Sequence, residues 1–173
     1  MMTKQSRGMR NKNPLNIRRG GDRWQGSTRV QTDPDFVTFT DLKWGYRAAW
    51  KVLASYHKRL TREHKRFNLW HILSRWAPEA DGNNVRAYMN AVMKIGGIGG
   101  RECFTQPDSV CGYRRLTTLL MAMTCVECGV KPEDVDLFPI REGFRLAFPY
   151  VDLSEENEWM DGDQADIQLE DLY

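Results

Sequence analysis

Residues 42–60, LKWGYRAAWKVLASYHKRL, decide the fold class. Tyr46, Ala49, Trp50, Leu53, Tyr56 and Leu60 recur at spacings of three and four, the single buried stripe of an amphipathic helix. Lys51, Lys58, Arg59 and Arg62 fill the outside, and Thr40 or Asp41 stands ready as the N-cap.

The pattern continues downstream. A second helix is predicted over 68–76, with Leu69, Ile72, Leu73 and Trp76 inward, and Ala77-Pro78 stops it. The turn residues Asp81-Gly-Asn-Asn84 cap a third helix that carries Val85, Tyr88, Met89 and Val92 on one face. The glycine run 96–100 ends it. That run lacks the Lys-Ser/Thr of a phosphate loop and follows a helix rather than a strand. A fourth helix over 112–128, with Leu116, Leu119, Leu120 and Met123, reads as central to the core, and Gly129 suits its C′ position. Pro132 opens a short turn, and 141–148 forms a last helical turn or two.

Upstream the character changes. Residues 11–26 carry Pro14, Gly20, Gly21 and Gly26 and read as loop. Residues 29–32 and 35–39 read as two short extended pieces turning at Asp33-Pro34, a small hairpin at most. The expected class is mainly α (α+β), with a small N-terminal β element. Residues 1–10 form a flexible basic lead-in, 11–150 a single mainly helical domain, and 151–173 a tail with nine acids and no Lys or Arg. No repeat is visible.

The 173 residues carry a net charge of +2, but its distribution is lopsided. Residues 1–75 hold 17 Lys and Arg against 5 Asp and Glu; residues 76–173 hold 8 against 18. A basic half suits nucleic acid, lipid headgroups or an anionic cell-wall polymer, or is simply matched by the acidic half. No apolar run reaches the roughly 18 residues a membrane span needs. The basic N-terminus lacks the apolar core of a secretory signal, so the expectation is a protein that is cytoplasmic when made.

Cysteines 103, 111, 125 and 128 include a CxxC, a spacing used in zinc and redox sites. It ends an apolar helical pattern and has no second tight knuckle, so buried reduced thiols are expected. His57, His64 and His71 are seven apart, which on a helix separates neighbours by about 10.5 Å, too far for one ion. No metal or cofactor site is expected.

Carboxylates and aromatics are the chemical candidates. Asp33 and Asp35 flank Pro34 beside Phe36, where desolvation raises a carboxyl pKa; ordinary turn chemistry is the competing reading. Glu79, after Trp76-Ala-Pro78, is either a cleft acid or a surface acid. Trp24, in a polar glycine-rich segment, is the tryptophan placed to stack on a sugar face.

Several motifs occur in a fixed order: Arg7-Gly-Met-Arg-Asn-Lys-Asn-Pro-Leu-Asn-Ile-Arg18, Trp24-Gln-Gly26, Gln31-Thr-Asp-Pro-Asp-Phe-Val-Thr-Phe39, Trp44-Gly-Tyr-Arg-Ala48 and Arg75-Trp-Ala-Pro78. Together they resemble a family of small phage and prophage structural proteins over residues 7–98. More distantly, the same stretch is similar to the second half of lysozyme-like N-acetylglucosaminidases of glycoside hydrolase family 73. In those enzymes an Asn-Leu-Phe-Gly-Ile-Lys type segment lines the glycan cleft ahead of a Trp-x-Gly and a Phe-containing strand. The resemblance implies a lysozyme-like domain of phage origin that binds peptidoglycan, with or without cleaving it. Asn13, Asn16, Arg18, Trp24, Gln25, Tyr46 and Trp76 would then contact glycan, with Asp33, Asp35 or Glu79 as acids. The family's catalytic glutamate lies on a helix before the Asn segment, and no acid precedes Asn11 here. Either another acid substitutes, a partner supplies the helix, or the chain binds glycan without cutting it. The reading from a different class is a virion or assembly protein that binds protein partners or nucleic acid through its basic half.

Overall fold

The computed structural model describes residues 5–154. Its helices are α1 (Arg7–Arg10), α2 (Leu42–Arg62), α3 (Leu69–Trp76), α4 (Val85–Gly96), α5 (Val110–Cys128) and α6 (Phe138–Ala147), with 3-10 turns at Glu79–Asp81 and Pro132–Asp134. The class is mainly α. No helix among the described residues is long and apolar enough to cross a membrane.

Caps set the helix boundaries as the sequence suggests. Asp41, Asn68, Asn84 and Ser109 each accept a first-turn amide at the start of α2, α3, α4 and α5. Gly97 and Gly129 close α4 and α5 with left-handed φ of 57° and 64°. Helix α6 starts earlier than the sequence reading, at Phe138, because Pro139 falls within its first turn.

Helix α5 is the axis of the core. It is buried on several sides, from Tyr113 and Leu116 through Met123 to Cys128, so it lacks the clean stripe of a surface helix. The closest pairing is α2 with α6, and α4 packs against both α3 and α5. Trp50 is the hub of the α2 layer. It is fully buried, its ring meets Phe144 edge-on at 5.0 Å, and its Nε1 donates to the Ile140 carbonyl at 3.0 Å. Gly143 permits the close approach, because a Cβ there would lie 2.8 Å from the Arg47 amide nitrogen.

The N-terminal quarter departs from expectation in two ways. Residues 7–10 are helical rather than a flexible lead-in: Ser6 caps α1, and Gly8 is buried against the Asn13 carbonyl. The hairpin between 29–32 and 35–39 does not form. Residues 35–40 instead exchange backbone hydrogen bonds with 17–19 and 26–28, through Val37 N–H to Ile17 O and Thr28 N–H to Thr38 O, both 2.9 Å. Only isolated bridges, Arg18 with Phe36 and Ser27 with Phe39, are strand-like here. The Gln31 amide replaces a strand partner by both donating to the Thr38 carbonyl and accepting from the Thr38 amide. Of residues 151–173, only 151–154 are described.

Candidate functional site

The segment 13–18 is fixed from within. Asn13 is fully buried, donates to the Ile17 and Val37 carbonyls and accepts from the Ile17 amide, all within 2.9 Å. The resulting turn puts Asn16 at φ 52°, a left-handed conformation that Asn tolerates better than most side chains. The end of α5 then clamps the turn. The Cys128 thiol donates to the Pro14 carbonyl at 3.3 Å, and Asn16 Nδ2 donates to Glu127 at 2.8 Å.

This turn forms one wall of a cleft of about 700 Å³. Asn16, Arg18, Arg23 and Trp24 come from the N-terminal wall. Arg47, Lys51, Ser55 and Tyr56 come from α2, and Arg75 and Trp76 from the end of α3. Tyr56 and Trp76 meet edge-on at 6.1 Å, and the Tyr56 hydroxyl donates to the Arg75 carbonyl. Arg18 reaches across to Asp81 at 3.1 Å. Arg75 is held by Glu63, whose carboxyl is drawn down to about 2 by its hydrogen bonds with Arg59, Lys65 and Arg75.

Of the residues expected to contact a glycan, Asn16, Arg18, Trp24 and Trp76 share this cleft. Three do not. Asn13 is buried scaffold. Tyr46 is 2% exposed with its hydroxyl on Thr124, and that burial pushes its phenol up. Gln25 is exposed but does not line the cleft.

The expected acids also lie elsewhere. Asp33 forms a two-pronged pair with Arg7 at 2.6 Å and accepts from Asn11 and from the Asp35 and Phe36 amides. The Arg7 guanidinium, helped by those donors, holds the Asp33 carboxyl well below the usual carboxylate range. That direction is opposite to the rise that desolvation beside Phe36 would give on its own. Arg7 also takes Asp35 at 2.7 Å, so the pair of aspartates fastens α1 to the loop. Glu79 is exposed in its 3-10 turn and does not line the cleft.

Sequence reading missed Glu127. Its half-buried carboxylate accepts from Asn16 Nδ2 and from the Tyr88 hydroxyl, each at 2.8 Å, and among the described residues no cation pairs with it. Burial, with the adjacent Glu127 charge, pushes the Tyr88 phenol far up, so Tyr88 stays a donor. Most other half-buried acids, Asp33, Glu63, Glu102 and Glu142 among them, are bound to arginines. The available signal was a lone charge near the end of the most deeply buried helix. The CxxC around it drew attention to sulfur instead. Cys125 and Cys128 are buried and Cys103 and Cys111 exposed, so burial holds for the second pair alone; all four are free thiols.

No family model matches the chain. Over 146 residues, 83% of this chain and 82% of the relative, it is 31% identical to Protein P5 of Pseudoalteromonas phage PM2. The chain belongs to the phage Protein P5 family. The 146 aligned residues exceed the stretch 7–98, so the P5 relationship extends into the second half, where α5 and Glu127 lie.

Proposed function

We propose that this P5-family chain is a virion-associated protein that seats a peptidoglycan glycan strand in the cleft and cuts it with Glu127. The carrying observation is the Glu127 carboxylate, held by two neutral donors, one of which, Asn16, lines the cleft. In space the end of α5 stands beside the Asn13–Arg18 turn. On this reading Glu127 takes the role that the lysozyme-like resemblance gives to a glutamate before the Asn segment.

Trp24, Tyr56 and Trp76 offer apolar faces to sugar rings, and Asn16 and Arg18 offer donors to hydroxyls. Glu127 does not itself line the cleft; on this reading the sugar that reaches it is the one seated against Asn16, to which it is hydrogen-bonded. Protonated Glu127 gives its proton to that sugar's glycosidic oxygen as the bond to the anomeric carbon breaks, the electron pair leaving with the oxygen. Water adds to the anomeric carbon, and its released proton restores Glu127.

Sedimentation with insoluble, protein-free peptidoglycan tests the binding half. Wild type is expected in the pellet, and Trp24→Ala and Trp76→Ala each to weaken binding about tenfold, the scale of one stacking contact. Gln25→Ala, outside the cleft, should leave binding unchanged. Equal pelleting of the tryptophan variants and wild type would remove the cleft from the reading, and leave a virion or assembly role through protein partners.

A further inference from the structure

Among the described residues, the α2 wall of the cleft carries two cations that no carboxylate hydrogen-bonds; Asp108 acts on Lys51 only through its charge. Arg47 and Lys51 lie one turn apart on α2, so they share a side of the helix. Both are half-buried and both line the cleft. Among the described residues the Arg47 guanidinium makes no hydrogen bond or ion pair, and its Nε is buried without a partner there. Two other guanidinium groups of the cleft, Arg18 and Arg75, have carboxylate partners. Desolvation lowers the pKa of Arg47 and of Lys51, and for Lys51 the Arg47 charge lowers it further. Lys51 Nζ sits 4.8 Å over the Phe148 ring, which places the ammonium without neutralising it. Burying like charges together costs free energy unless an anion completes the group.

We infer that Arg47 and Lys51 form an anion subsite for a carboxylate carried by the bound strand. This rests on the glycan reading and narrows it: the ligand is an acidic glycan, bearing lactyl or peptide carboxylates, rather than a neutral one. The planar guanidinium fork matches a carboxylate, and Lys51 adds a second charge from one side. Asp22 and Asp81 lie on the same cleft. A nucleic-acid strand, with a phosphate about every 3.4 Å, would set phosphates against them. A glycan separates its carboxylates with neutral sugars and can present hydroxyls there.

Calorimetric titration in the non-cutting Glu127→Gln protein tests the subsite. The probes are a muramic-acid-containing tetrasaccharide, the same molecule with its carboxyls reduced to alcohols, and chitotetraose. The acidic probe should bind about ten- to a hundredfold more tightly than its reduced form, the scale of a charge-assisted hydrogen bond. Adding Arg47→Gln should bring that ratio close to one; Lys51→Gln should reduce the ratio partway. A ratio unchanged by Arg47→Gln, or no preference before it, overturns the inference. If none of the three probes binds, the glycan reading fails, and acetate decides the subsite separately. Acetate should then raise the melting temperature of wild type but not of Arg47→Gln; equal shifts overturn the subsite as well.

Discussion

At the scale of single residues, the same residue types serve opposite ends. Asp33 and Glu127 are both shielded acids, but Asp33 meets Arg7 while Glu127 meets an amide and a phenol. Asp33 is therefore a fastener. The folded protein binds its proton less readily than the unfolded chain does. Its stabilising contribution is complete above the ordinary carboxylate value and is lost as pH falls through and below about 4. Denaturant unfolding of wild type and Asp33→Asn should show the largest stability difference near neutrality, narrowing in acid; a difference that widened in acid would refute the assignment. Asn13 makes a second residue-scale prediction. Asn13→Ala leaves the Ile17 and Val37 groups buried and unpaired, and should cost at least about 2 kcal/mol in the same measurement. Glycan affinity should fall with it, as the Asn16 turn loosens, though Asn13 touches no ligand.

At the scale of elements, the helices were legible because their information is local. The three-and-four spacing of Tyr46 to Leu60 and the caps at Asp41, Asn84 and Gly129 lie within a few residues of what they specify. The N-terminal quarter was not, because its partners are remote: residues 35–40 pair with 17–19 and 26–28, and side-chain bonds from Gln31 take a strand's place. Half of the cleft was legible for the same reason. Asn16, Arg18 and Trp24 sit together in an unusual segment, whereas Glu127 meets Asn16 across 111 residues. The α2–α6 contact gives an element-scale prediction. Gly143→Ala drives a methyl group into the Tyr46–Arg47 backbone and should cost about 1–3 kcal/mol, read as a lowered melting temperature. A neutral or stabilising result would mean that the two helices are free to separate.

At the scale of the whole molecule, the lopsided charge acquires a use. The basic first half is only sparsely neutralised by the acidic second half: Arg18 with Asp81 is the one ion pair recorded between them among the described residues. Most others, such as Arg7 with Asp33 and Glu63 with Arg75, stay within a half. The result is a cleft rich in cations, with Glu127 hydrogen-bonded to Asn16 of its N-terminal wall. Membership of the phage P5 family puts that cleft in a protein related to a phage product. The central claim is that Glu127 cuts the strand. The most direct measurement is release of new reducing ends from purified peptidoglycan by wild type and by Glu127→Gln, matched for fold by circular dichroism. The account predicts release by wild type and a loss of at least about a hundredfold in Glu127→Gln, the scale of general-acid catalysis, with Asp33→Asn and Glu79→Gln still active where folded. Release by Glu127→Gln at the wild-type rate, or none by wild type, would contradict it.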